Sequence, residues 1–325
     1  MVMTAKKPSN IDEFLAVKDD IGRLVICKNK IDYIALIVVT NANPNGDPLN
    51  DNLPRTDYDG YGEMSDVCIK HKLRNRLMDL GHEILIKSDD RVDDGFYCIK
   101  DRVEATIGLP GKGPAAEREF KKKACEAFYD VRGFGQVFTL KNGKDSGKKK
   151  NSDDEETESN KKEKGSSIGI RGPVTIQIAK SVAPVEIETM KITKCTVTEP
   201  DSNGAEKMGD KGFVKHGLYV IKGSINPQLA RFTGYSKKDV DDLKECLRTL
   251  FVNDASSARP DGSMEVKQLY WWEHNCPEGQ YSSAVVQNSV ICTLKDPGST
   301  PKSFDDYIIT LNKLKGLEPE IIKGW

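Results

Sequence analysis

Apolar residues run almost without interruption from 31 to 39 (IDYIALIVV), and the chain then turns polar within one residue. A short, β-branched run of this kind predicts a central strand buried on both faces. Residues 40–64 are dense in Asn, Asp, Pro and Gly, which make turns by fixing or freeing φ and by bonding side chain to backbone. No core element can be built from them. A helical period begins with Ser65 or Asp66 as N-cap and sets Ile69, Leu73, Leu77 and Leu80 on one stripe. At about 100° per residue, Lys70 and Arg74 border one side of that stripe while Lys72 and Arg76 border the other. Read without acidic partners at i±4, these cations stand unbalanced. A long polar loop feeding a basic helix is one way to present N–H groups and cations to phosphates.

The same patterning predicts the remaining elements. Residues 11–17 read as a helix, 23–27 as a strand and, after a C-cap at Gly81, 83–87 as a second short strand. A helix is expected over 115–128, within the charged and turn-rich stretch 88–129. Val174, Ile176 and Ile178 alternate with polar neighbours as in a strand with one buried face. Two arms around Asn203-Gly204 form a hairpin signal, with Lys207, Lys211 and Lys215 around Met208 and Phe213. Residues 217–225 predict a strand. Residues 236–250 predict a helix, with Ser236 and Asp239 approximating a capping box and Tyr235 stapling onto Val240. Late strands are expected at 269–274 and 285–294, then a helix at 304–314. Residues 141–167 carry nothing apolar worth burying and are expected to be a disordered insertion. Strands and helices interspersed in this way predict an α+β sheet with insertions, one domain over residues 1–325.

A formal net charge of −1 over 325 residues is silent on nucleic acid, because a balanced total can hide separate patches. Eight cysteines without a CxxC pair suit reduced thiols and argue against zinc. There is no apolar run long enough to cross a bilayer and no N-terminal apolar h-region, so a soluble cytoplasmic protein without membrane contact is expected. A P-loop and a Rossmann fingerprint are missing and the four histidines lack metal-site spacing, so no cofactor and no metal are expected. Asp47, Asp51 and Asp57 could position a water or a metal beside a phosphate, but Asp is also a common turn former. Residues 132–138 (RGFGQVF) partly match the RNP1 pattern of RNA-binding sheets. Gln136 stands where an aromatic belongs, so core packing of Phe134 and Phe138 is the competing reading.

Seven motifs occur in order between residues 32 and 294: NPNGDP at 43–48, LPRTD at 53–57, SDVCIKHKLRN at 65–75, DVRGFG at 130–135, RGPVTIQIAKSVAPV at 171–185, MGDKGFVKHGLY at 208–219 and SSARPDGSM at 256–264. Together they resemble the repeated backbone subunit of the type I-C CRISPR surveillance complex, Cascade. The insertion at 141–167 and Gly133, where a small aliphatic residue is expected, depart from that pattern.

The resemblance implies a modified RNA-recognition-motif (ferredoxin-like) palm, a helical fingers insertion at 88–129 and a hairpin thumb at 186–216. It implies a non-catalytic subunit whose copies stack head to tail along a guide RNA, beside a large subunit and a crRNA-processing subunit, presenting the guide to target DNA that a separate helicase-nuclease cuts. Lys70, Lys72, Arg74 and Arg76 become the first candidates for phosphate contacts, with backbone donors from the loop of Asn43, Asn45 and Gly46. Arg55, Arg132, Arg171 and Arg259 follow, and from the thumb Met208 as a wedge between bases with Lys207 and Lys211 on phosphates. The alternative is a type III-like subunit that cleaves target RNA through Asp47; a third reading is a sheet protein that assembles without nucleic acid.

Overall fold

The computed structural model describes residues 26–140, 166–193 and 208–325. The expected helix at 11–17, most of the strand at 23–27, nearly all of the 141–167 insertion, the Asn203-Gly204 turn and Lys207 lie outside the described residues.

In chain order the first half contains β1 (Ile31–Ala42), β2 (Tyr61–Met64), α1 (Asp66–Asp79), α2 (Ile99–Ile107), α3 (Pro114–Ala127), α4 (Tyr129–Phe134), β3 (Gly135–Leu140), β4 (Ser166–Arg171), β5 (Val174–Ile176) and β6 (Ala179–Pro184). The second half contains β7 (Ile187–Thr193), β8 (Met208–Ile225), α5 (Pro227–Thr233), α6 (Lys237–Arg248), β9 (Met264–Glu273), α7 (Ser283–Gln287), β10 (Val290–Leu294), β11 (Tyr307–Leu311) and β12 (Glu320–Lys323). Helices and an antiparallel sheet are mixed along the chain, an α+β architecture.

The main sheet has eight strands, with the order β12-β9-β1-β8-β6-β2 and with β5 and β7 also paired to β8. β1 is its centre, and residues 31–39 are buried throughout because both faces are covered. Tyr33, Ala35, Ile37 and Val39 point to one face, against Ile69, Leu73 and Leu77 of α1 and Val240, Leu243 and Leu247 of α6. Ile34, Leu36 and Val38 point to the other, against a second layer made by the β10–β11 pair. Each such side chain contributes roughly 1.5–3 kcal/mol by leaving water. β2 pairs with β6, and close packing also brings it against β8: any Cβ at Gly62 would overlap the Tyr219 ring.

β8 is the longest strand, and its partners change along its length. From Ile225 to Val214 it lies along β1, while its other edge takes β5, β6 and finally β7. From Val214 to Met208 the ladder continues with β7 alone, from Ile187↔Val214 to Thr193↔Met208. Residues 188–193 of β7 are exposed, so this ribbon leaves the body of the sheet.

A satellite core joins α2, α3 and α4 to the β3–β4 pair through Val103, Phe120, Phe128, Val131, Phe138 and Ile168. The RNP1-like stretch belongs here and not to the main sheet. Its first half is helical, Phe138 packs edge-on against Phe120 at 5.1 Å, and Phe134 lies under the Arg74 guanidinium. Both phenylalanines therefore serve packing.

Several expected elements differ for identifiable reasons. Residues 83–87 form no strand: the N–H groups of Leu85 and Ile86 donate to the Asp130 carboxylate at 2.8 and 3.2 Å, which removes them from any ladder. Ile178 falls between β5 and β6 and is exposed, so the alternation breaks there. Ser282 caps a short helix, α7, before β10 begins, where one strand was expected over 285–294. Ser303 and Asp306 form a capping box around a single 3-10 turn, and the expected helix at 304–314 gives way to β11, whose β-branched residues pair with β10.

Candidate nucleic-acid interface

Five of the seven motifs, spread over residues 43–264, meet at the Ala42 end of β1. The Asn43 N–H donates to the Ala258 carbonyl at 2.9 Å, tying the first loop to the 256–264 loop. The Asn45 side-chain oxygen accepts from the Ser65 N–H at 2.8 Å, tying it to the start of α1. Gly212 of β8 packs so closely on Leu53 and Pro54 that it leaves no room for a Cβ. Within the loop, Asn43 Nδ2 donates to the Asn52 carbonyl at 2.7 Å, Asp47 N to Leu53 O, and Arg55 N to Asn45 O, both at 2.9 Å. The amides of Asn43 and Asp47 are thus occupied within the protein. Of the expected backbone donors at Asn43, Asn45 and Gly46, the Asn43 N–H is taken within the protein, and the Asn43 and Asn45 side chains act as staples that hold the loop's shape.

Basic side chains gather around this junction. Lys72 reaches Asp254, and Arg259 donates from Nε to the same carboxylate oxygen at 3.3 Å. Arg55 donates from Nη2 to Asp47 at 3.2 Å, and its Nε has no partner among the described residues. Cys68, beneath the Pro44 carbonyl, reports the resulting field: burial pushes its thiol up, while Lys72, Arg259 and Arg55 favour the thiolate. Burial works against the charged form of Lys72 and lowers its pKa, with Asp254 opposing. The side chains differ sharply in access: Lys72 is 2% exposed, Arg259 27% and Arg55 37%.

A second basic cluster lies where α1 meets α4. Arg74 Nε donates to Asp130 at 2.9 Å, and Arg132 Nη2 donates to Asp239 at 2.7 Å. Burial opposes the charge on Arg132, but Asp239 outweighs it and the guanidinium pKa is raised. Arg76 donates to Thr249 at 2.8 Å and lies 3.6 Å from Asp79.

These contacts correct the picture of an unbalanced basic helix. Lys70 has an i−4 partner in Asp66 at 3.0 Å, and Lys72, Arg74 and Arg76 are answered by groups brought in by the fold. The most exposed positions on α1 are Val67, His71 and the residues at its end, not the cations. Of the other arginines, Arg171 is exposed, has no ion pair among the described residues, and pairs its backbone with Gly135, which joins DVRGFG to RGPV. Lys211 is half-buried on β8 opposite Met190, again without an ion pair among the described residues. Met208 is the last ladder position, opposite Thr193.

A family model for CRISPR-associated protein Cas7 matches residues 29–312, most of the chain and every segment of the junction. The chain belongs to the Cas7 family. A CRISPR-associated protein Cas7 from Haloferax volcanii is 29% identical to this family member over 299 residues, covering 88% of this chain and 82% of that protein. Among solved structures, a chain of a CRISPR RNA-guided surveillance complex, pre-nicking, aligns with a TM-score of 0.45 at 13% identity, over 79% of this chain and 81% of its own length. A chain of a second CRISPR RNA-guided surveillance complex aligns with a TM-score of 0.38 at 16% identity, over 75% and 68%.

In this Cas7-family chain the three first-loop aspartates make turns. Asp47 accepts from Leu49 N–H and Arg55, each at 3.2 Å. The Asp57 carboxyl is held below the usual range by Lys180 at 2.8 Å and by the N–H groups of Tyr61 and Asp59. Asp51 sits at φ +47°, a left-handed conformation that Asp tolerates. No group of three metal-binding side chains forms among the described residues. Asp254 and Asp130 were not singled out in the sequence, and Asp239 was expected only as half of a capping box, not as the counterion of Arg132. For Asp254 a signal was present, an acid just ahead of the SSARPDGSM loop whose arginine needs a counterion.

Proposed function

We propose that this chain binds the sugar-phosphate backbone of a CRISPR guide RNA without reading its sequence. Copies line up head to tail on one guide as the repeated backbone of a type I-C Cascade, and the bases stay free to pair with target DNA. The observation that carries this reading is the junction at the end of β1, where rigid loops hold Arg55 and Arg259 half-open, each on a single carboxylate. Phosphate oxygens suit such guanidiniums, which present several donors in a fixed fork. Lys70 and Lys211 extend the basic track, and Arg171 belongs to a neighbouring surface. Lys72, Arg74 and Arg132 preorganise that surface and do not touch RNA.

The strand order supports an RNA-recognition-type palm: β9-β1-β8-β6 with α1 and α6 on one face follows the split βαβ pattern. The opposite face, which an RNA-recognition motif offers to bases, is closed here by β10 and β11, in keeping with backbone binding at the sheet's end. In this reading residues 88–129 are the fingers and 186–216 the thumb, with Met208 as a wedge between bases and Lys207 on phosphates. The large subunit, the crRNA-processing subunit and a later helicase-nuclease are the remaining partners, and the subunit is non-catalytic and needs no cofactor. The Asp47 oxygen that a nuclease reading would use already serves Leu49 and Arg55.

Filter binding of two unrelated guide sequences tests this. Arg55→Ala with Arg259→Ala is expected to weaken both alike; weakening of one alone would contradict sequence-blind binding. Incubation of the assembled complex with complementary RNA and Mg²⁺ is expected to give no regular cleavage, and cleavage lost on Asp47→Ala would favour the nuclease.

A further inference from the structure

A cleft of about 340 Å³ opens beside the C-terminal end of α6, walled by Arg248, Phe251, Asp261, Glu265 and Trp325. Its floor is shared with the loop that carries Arg259, since Phe251, Asp261, Gly262 and Met264 also border the small hollow next to that arginine. The Phe251 ring has Lys72 over it at 5.6 Å, so the cleft and the basic junction are back to back across one side chain. Trp325 is 78% exposed, whereas Trp271 and Trp272, the other tryptophans in the sequence, are 2% and 0% exposed.

The indole is held in place. Arg248 covers it at 5.2 Å, and Arg248 is itself fixed by two bonds to Glu245, at 2.8 and 2.7 Å. The Trp325 backbone N–H donates to the Arg248 carbonyl at 3.3 Å, which ties the residue to the end of α6. With its charge answered by Glu245, the guanidinium serves as a flat support for the ring. The polar rim is rich in acceptors: the carbonyl end of a helix, which carries partial negative charge, and the carboxylate of Asp261, which has no ion pair among the described residues. Such a rim repels phosphate and welcomes N–H donors. A flat aromatic platform, an acceptor rim and a neighbouring phosphate site match one chemistry, an unpaired nucleobase whose exocyclic or ring N–H groups face the rim.

We infer that Trp325 is a stacking platform for an unpaired base of the RNA strand whose phosphates lie at Arg259. The inference rests on the phosphate-binding reading above and adds a base contact to it. Stacking tolerates any base, so it leaves that reading sequence-blind.

Iodide quenching of tryptophan emission tests it, because Trp325 is the one indole of the three that solvent can reach. The RNA-free full chain is compared with the chain bound to a short single-stranded RNA, and with the chain bound to an abasic oligonucleotide of equal length. The base-bearing strand is expected to lower the quenching constant several-fold, while the abasic strand binds with similar salt dependence and leaves iodide access unchanged. Trp325→Ala is expected to weaken the base-bearing strand about fivefold to a hundredfold, the range of one base–aromatic stack. Binding of the abasic strand should not change, and Trp325→Phe should retain most of the difference. Equal shielding by both strands, or none by either while both bind, overturns the inference and leaves the phosphate site standing. Failure of both strands to bind overturns the two together.

Discussion

The two arginine clusters around α1 use the same chemistry to different ends. At α4, Arg74 and Arg132 are enclosed, each on a carboxylate that is itself buried: the Asp130 and Asp239 side chains are 1% and 4% exposed. At the end of β1, Arg55 and Arg259 hold similar partners at longer range, 3.2 and 3.3 Å, and keep 37% and 27% of their side chains in solvent. Charge type and motif membership do not separate these pairs; burial does. An enclosed pair left with one partner is an uncompensated charge, so it reads as structure. A half-open pair can exchange its carboxylate for a phosphate at little cost, so it reads as a binding surface.

Breaking the enclosed cluster is expected to have the largest effect. Arg74→Ala leaves Asp130 buried without its cation and should cost about 3–5 kcal/mol of stability, read as a fall in the urea midpoint. A loss below about 1 kcal/mol would place Arg74 with the exposed pairs instead. Next comes the sheet beneath the junction: Gly62→Ala forces a methyl into the Tyr219 ring, and overpacking of this kind costs about 1–3 kcal/mol. An unchanged melting temperature would mean that β2 is free to move away from β8.

A smaller effect is expected from pH. Burial lowers the pKa values of His71, His82 and His216 from 6.5, with Lys72 adding to it at His71 and Asp242 opposing it at His82. The unfolded chain therefore takes up protons near pH 6.5 that the folded chain resists, and stability should fall as pH drops below that value. Urea midpoints at pH 7.5 and 5.5 that coincide would contradict it. Smallest on stability are Arg55→Ala and Arg259→Ala, each expected to cost about 1 kcal/mol or less, as for other half-open pairs.

What could be read from the sequence follows the range of the forces involved. β1 announced itself because an unbroken apolar run has few homes other than a covered strand. The Ser236–Asp239 capping box was legible because it closes within one turn. The burial of Lys72 and Arg74 was not, because their counterions lie 182 and 56 residues away and only the fold brings them in. Residues 83–87 misled for the same reason, since the acceptor that takes their amides belongs to Asp130 on α4. The motifs marked segments that the fold brings together, yet could not say which of their arginines would face solvent. Trp325 had no local signal, and its setting depends on the end of α6.

The salt dependence of RNA binding tests the contrast between the clusters most directly. For single-stranded RNA, Arg55→Ala with Arg259→Ala should flatten the slope of log affinity against log salt by about 1.4, two phosphate contacts at roughly 0.7 each, and by the same amount for any guide sequence. A slope that stays at the wild-type value would contradict the assignment of these two half-open arginines to the RNA backbone.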